Sequence, residues 1–238
     1  MITLAYYVSS LGFLVAALIM GRAVRSFGKS TLGSIFTYLF VGTGIFFVIT
    51  VFQTLGADFF GVSDESMDVW WHFMFYLAMF SYYFGLKALI GLGTSDPSVS
   101  SQSAIAPEKA WALFSAAALI VIFIIPKIAE PLVLTYLASP LATLGLHHFL
   151  SFIVAGIVGS YLFAAKKNLG QIGSAIATPM IIAIWALAFQ HFWELLFESW
   201  KVVIVTSENG EGIERIFLLA AAVGVTYAAW RLKSFAQR

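Results

Sequence analysis

Cysteine is absent from the chain. That excludes disulfides, thiolate metal sites, iron–sulfur clusters and S-acylation. Charge is scarce as well. Charged residues make up 11% of the sequence against a hydrophobic content of 61%, where a soluble domain would carry about a quarter charged residues. Mean hydropathy is +0.92, so the polar surface is too small for a soluble fold. Long basic runs are missing and the formal net charge is +1, which leaves no electrostatic basis for binding nucleic acid.

What is present instead is a series of apolar stretches. A hydrocarbon core of ~30 Å takes about 20 helical residues to cross. Seven runs meet or approach that length: Thr3–Met20, Leu32–Leu55, Val69–Leu92, Ala110–Ile125, Leu141–Ala165, Ala175–Trp200 and Ile213–Trp230. The fourth is the shortest, and Pro126 ends it. Continuous apolar runs without period-two alternation exclude a transmembrane β-barrel. The expectation is an all-α integral membrane protein, one seven-helix transmembrane domain over residues 1–238, with the bilayer as its solvent.

Basic residues orient it. Arg22, Arg25, Lys29, Lys87, Lys109, Lys166, Lys167, Arg231, Lys233 and Arg238 fall on one side, and only Lys127, Lys201 and Arg215 on the other. The positive-inside rule then sets the N-terminus outside and the C-terminus in the cytoplasm, in a plasma or inner membrane. No basic segment precedes the first run, so it reads as a retained helix rather than a signal peptide. Residues 93–107, rich in Ser, Gly and Pro, read as a cytoplasmic linker. Lys127 to Pro140 reads as a short interfacial helix on the outer side. Trp70, Trp71, Trp193 and Trp200 fall where an outer aromatic belt is expected.

This orientation gathers all four histidines on the outer side, with every carboxylate except Asp96 and Glu108. Ionisable groups at membrane depth are costly and mark function. Asp68 and His72 are four residues apart, and Tyr76 four further, which puts them on one helical face. His191, Glu194 and Glu198 form a second stripe, with Gln190 beside it, and His147-His148 opens the fifth run. Neighbouring helical residues point ~100° apart, so one of that pair is expected to face the bundle. A rise of ~1.5 Å per residue sets His72 and His191 at similar heights, with His148 and Glu194 about one turn further out.

Imidazole and carboxylate together suit Zn, Cu or Fe. Asp68, His72, His148, His191 and Glu194 are therefore the candidate metal ligands. Two imidazoles from different helices also suit haem b, and His72 with His191 is the pair for it. The bland alternative is polar packing, in which histidines bridge helices through hydrogen bonds. Glu194, flanked by Trp193 and Leu195, needs a partner or a raised pKa. Gly42, Gly44, Gly156 and Gly159 read as close helix contacts, and Pro179 as a helix-start proline.

Seven helices with the N-terminus outside resemble the microbial rhodopsins in layout and size. Their retinal attaches to a lysine in the last helix, and Ile213–Trp230 contains none, which excludes a retinal Schiff base. The seven-helix ceramidase-like hydrolases share a histidine metal site, but theirs lies towards the cytoplasm and their motif has no counterpart here. The expected function is a metal or haem centre near the outer face, in redox chemistry or in a subunit of a membrane oxidoreductase complex. Partner membrane subunits or a homo-oligomer would complete it. The alternative is a seven-helix sensor or interaction subunit whose outer acidic face binds a ligand, cation or partner protein. Proton or cation transport through Glu194 and His191 is weaker, because no carboxylate continues the path inward.

Overall fold

The computed structural model describes residues 2–28, 30–60, 63–93, 125–166 and 170–236. Over these the chain is helical: α1 Ile2–Phe27, α2 Thr31–Phe60, α3 Asp64–Gly93, α4 Ile125–Leu137, α5 Pro140–Thr143, α6 Leu146–Ala165, α7 Gly170–Glu194 and α8 Ser207–Ala236. A π-helical turn, Leu195–Ser199, continues α7. Among the described residues, six helices are long and apolar enough to cross a membrane. The expected span Ala110–Ile125 lies outside the described residues except for Ile125, where α4 begins.

The six long helices close into a ring in chain order: α1 on α2, α2 on α3, α3 on α6, α6 on α7, α7 on α8, and α8 back on α1. Phe13, Phe46, Phe75, Tyr82, Met79, Leu187 and Ala221 fill its centre, all fully buried. Phe46 stacks on Phe13 at 5.2 Å between centroids and meets Phe75 edge-on at 5.9 Å. Outward faces are apolar as well, with Leu11, Phe80, Ile157, Phe163, Ile182 and Val223 exposed. Lipid tails are as apolar as these side chains, so the ring is held by close packing rather than by escape from water.

Small residues make that packing possible. A Cβ on Gly42 would stand 2.7 Å from the Tyr82 ring, and one on Gly159 would stand 3.0 Å from Trp185. Gly156 faces open space, so of that pair Gly159 alone is a packing glycine. Below Gly42, Tyr82 hydrogen-bonds Thr43 across the α2–α3 contact at 3.0 Å. Gly42→Ala is expected to lower stability by about 1–3 kcal/mol, the range for overpacking a tight contact. Thermal unfolding in detergent checks it, and an unchanged midpoint would show that Tyr82 has room to move.

Two helix limits differ from the sequence reading. Pro179 does not open its helix, because α7 starts nine residues earlier at Gly170. The missing N–H leaves the Ala175 carbonyl without its usual donor, and membrane helices tolerate this where neighbours compensate. α8 starts at Ser207 rather than Ile213. Its first turns are polar, which hid them from a hydropathy reading, and they carry Glu211, Glu214 and Arg215 to the site.

Candidate metal centre

The alternating direction of the long helices brings one end of each together. Tyr6 of α1, Gln53 of α2, Asp68 and His72 of α3, His147 and His148 of α6, Glu194 of α7 and Arg215 of α8 line a single cavity of 680 Å³. α4 covers it from the side, with Leu137 in the wall. The helix expected over Lys127 to Pro140 is therefore present, and it sits against the site.

All four histidines converge there. The His72 ring lies 4.7 Å from His147, 4.7 Å from His148 and 4.8 Å from His191, centroid to centroid. His147 and His148 are 4.0 Å apart. Both of that pair face the site, against the expectation of one. They occupy the first turn of α6, directly after Gly145, where the helix end presents two adjacent side chains to the cavity. Gly145 has φ of 70°, a left-handed turn that favours glycine. A Cβ there would collide with Ser199, so this glycine lets the start of α6 abut the π turn that follows Glu194. The one-turn height difference inferred for His148 and Glu194 is closed by the reach of their side chains.

Partners define the role of each ring nitrogen. Glu194 Oε2 accepts from His191 Nδ1 at 2.7 Å and from His148 Nδ1 at 3.1 Å, while Gln190 donates to Oε1 at 2.9 Å. The partner that a carboxylate between Trp193 and Leu195 requires is thus supplied threefold. With both Nδ1 atoms donating, the Nε2 atoms of His148 and His191 carry free lone pairs. His191 Nε2 is buried without a hydrogen-bond partner, which in a low-dielectric interior costs about 1–3 kcal/mol. A carboxylate holding imidazoles by Nδ1–H, so that Nε2 points elsewhere, is the usual outer support of a metal-binding histidine. The His72 Nδ1 pairs with Ser151 Oγ at 2.8 Å and leaves its Nε2 3.5 Å from Asp68 Oδ1.

His147 is engaged at both nitrogens, Nδ1 with the Tyr136 hydroxyl at 2.7 Å and Nε2 with Asp68 Oδ2 at 3.1 Å. Since an ionised Asp68 can only accept, Nε2 donates and the Tyr136 hydroxyl donates to Nδ1. Burial raises the Tyr136 pKa above the ordinary phenol value, which keeps that hydroxyl protonated. Tyr76, expected on the face of Asp68 and His72, donates to the His147 carbonyl at 3.0 Å.

The potential ligand atoms of His72, His148, His191 and Glu194 lie within 4.8 Å of one another, and so do those of Asp68, His72, His147 and His148. His72, His148, His191 and Glu194 are all buried. Such a group can hold a metal ion. No family model, curated protein or solved structure matches the chain. Its chemistry rests on this geometry.

The haem pairing fits poorly. Axial imidazoles on one iron stand on two bonds of about 2 Å plus both ring radii, roughly 6 Å between centroids, and His72 and His191 are at 4.8 Å. Both rings are also wedged among neighbours: Trp71 meets His191 edge-on at 5.3 Å and Phe75 meets it at 4.4 Å. A single ion suits this spacing better than a porphyrin. Trp71 is buried at 3% exposure and walls the site, and Trp70 is buried at 6%, so neither forms a belt; Trp200 is exposed.

The sequence reading missed several residues of the cavity and of the histidines' surroundings. Ser151 and Tyr136 carried no signal, because a lone hydroxyl is uninformative until its neighbour is known. Arg215 counted in the sequence only as one of three basic residues on its side and Glu214 had no reading of its own; both are buried and line the cavity. Glu198, on the predicted stripe, lies 3.6 Å from His148 Nε2 and borders the cavity.

Proposed function

We propose that this chain is a seven-span membrane metalloenzyme whose centre lies at the outer end of the bundle. His72, His148 and His191 are its first ligands, with Asp68 beside His72 at 3.5 Å and Glu194 orienting two of the imidazoles. One observation carries the reading: His191 Nε2, a buried lone pair without a partner, sits in a group whose ligand atoms lie within 4.8 Å of each other. A packing role would leave that nitrogen unsatisfied; an ion satisfies it. The cavity of 680 Å³ gives a substrate room to reach the ion.

Topology supports the seventh span. α3 runs away from the site and α6 begins at it, so the chain returns between Gly93 and Leu146, where the apolar run Ala110–Ile125 lies. The uneven distribution of Lys and Arg supports an outer site, with a plasma or inner membrane as its setting. Donors are nitrogen and oxygen only, which suits Cu, Fe or Zn. Redox chemistry, alone or as a subunit of a membrane oxidoreductase complex with partner subunits or a second copy, is the activity proposed for copper or iron. Elemental analysis of protein purified gently in detergent without chelator is expected to find close to one such metal per chain. A preparation free of metal that also fails to take up Cu, Fe or Zn would overturn the reading and leave a polar packing cluster.

A further inference from the structure

We propose that Arg215 is the anion-recognition residue of this centre and that the substrate is an amphiphile with an anionic head, a phosphate or carboxylate on a hydrocarbon chain. This rests on the metal-centre reading and names the substrate class it would serve.

Arg215 is buried, at 9% exposure, in the wall of the metal cavity. Its Nη2 donates to Glu211 at 2.7 Å, and its guanidinium carbon lies 5.0 Å above the centre of the Tyr6 ring. Nε and Nη1 are buried and have no hydrogen-bond partner. A guanidinium is always charged, and leaving its donors buried and unpaired is costly. Nε and Nη1 lie on the two edges of the guanidinium that flank Nη2, and each such edge, with Nη2, matches two oxygens of a phosphate or carboxylate. Fixed by Glu211 on one side and Tyr6 on its face, Arg215 offers its remaining donors to a ligand that enters the cavity.

The carboxylates of this wall need accounting. Glu211 is neutralised by Arg215 itself, and Glu194 is engaged with His148, His191 and Gln190. Asp68 is engaged with His147 and lies 3.5 Å from His72. Glu198 and Glu214 remain, the latter with its Oε1 buried and unpartnered, and a bound cation at the histidines with Lys201 at the cavity wall offsets them. Lys201 has φ of 52°, a left-handed backbone rarely adopted by a lysine and often stored at functional sites.

The hydrocarbon part of the inference comes from a second cavity. It has a volume of 510 Å³ and runs along α1 and α8, with Glu208 and Asn209 at its polar end and Ala5, Gly212, Ile213, Ile216 and Leu219 along the rest. Arg215 lines both cavities. A ligand whose head pairs with Arg215 beside the histidines can therefore lay its chain among apolar residues. A free phosphate would use only the polar half.

The test uses the full-length protein in nanodiscs of zwitterionic phosphatidylcholine, loaded with metal, with metal content measured on every sample. Binding is followed by tryptophan fluorescence, since Trp71 lines the polar cavity. Dioctanoyl phosphatidate, inorganic phosphate and dioctanoyl phosphatidylcholine are titrated in turn. Phosphatidate is expected to bind at least about tenfold more tightly than either of the others. Arg215→Gln should remove that advantage and Arg215→Lys should weaken it about tenfold, both with unchanged metal content, because Arg215 is not a ligand. Equal binding of phosphate and phosphatidate would overturn the amphiphile, and phosphatidate binding unaltered in a folded Arg215→Lys protein would overturn the role of Arg215. Wild type that takes up no metal on loading yet shows the Arg215-dependent preference would support the anion site and sink the metal centre alone.

Discussion

His191→Ala is expected to lower metal affinity by more than about 100-fold while the bundle stays folded. Loss of outer-shell support alone costs 10–100-fold, and this change removes a ligand together with one of the two imidazoles that Glu194 orients. His191 is 1% exposed and touches Trp71, Phe75 and His72, so truncation also leaves a cavity. Buried large-to-alanine changes cost a few kcal/mol, which makes a fold control necessary. His191→Gln supplies it, since the amide fills most of the volume and can still donate to Glu194. Elemental analysis after dialysis and circular dichroism on the same samples give the answer. If both variants are folded and both keep a full complement of metal, His191 is not a ligand. Acid should release metal from the wild type, because protons compete for the imidazole lone pairs that the ion uses.

The parts of this site that the sequence revealed are those governed by spacing within one helix. Asp68 with His72, and His191 with Glu194, follow from the helical repeat, and each pair meets in the structure at 3.5 and 2.7 Å. The similar heights of His72 and His191 were legible from the helical rise, and the convergence of His147 and His148 with them only as a leaflet preference. Which helices are neighbours was not legible, because an apolar face reads the same whether it meets lipid or another helix. That is why Ser151, one hydrogen bond from His72, and Tyr136, one from His147, carried no signal. Arg215 entered only the count of basic residues for a related reason: a charge in the first turn of an apolar run does not tell what it faces. The reversal at Gly145 that turns both His147 and His148 inward depends on a single left-handed residue, and the π turn after Glu194 has no repeat in composition to announce it.

These misses have a common physical origin. A helix that ends at a water-filled cavity carries polar residues for the same reason as one that ends in bulk water. The site-facing ends of α3, α6, α7 and α8 therefore look alike in sequence whether or not they converge. Only the ring closure of α8 onto α1 turns the scattered charges into one pocket lined by Arg215 and the histidines.

Glu194→Gln separates an orienting carboxylate from a ligand, and its expected effect is a 10–100-fold loss of metal affinity that added metal restores. Glu194 Oε2 accepts from two Nδ1 atoms and Oε1 accepts from Gln190. A carboxamide has only one acceptor oxygen. If that oxygen serves the histidines, the new amide faces the amide donor of Gln190; if it serves Gln190, the amide faces two imidazole N–H groups. Either arrangement sets donor against donor in a buried site, at a cost of about 1–3 kcal/mol. It also replaces a charged acceptor with a neutral one, which makes His148 and His191 less basic at Nε2. Glu198→Gln is the comparison. Its side chain is 41% exposed and 3.6 Å from His148, a solvent-screened pair worth about 0–1 kcal/mol, so affinity should change by less than about fivefold. Isothermal titration with Zn(II) or Cu(II) on both variants distinguishes the outcomes. An unchanged affinity in Glu194→Gln would show that the imidazoles need no anchor, and a loss that no added metal restores would make Glu194 a direct ligand.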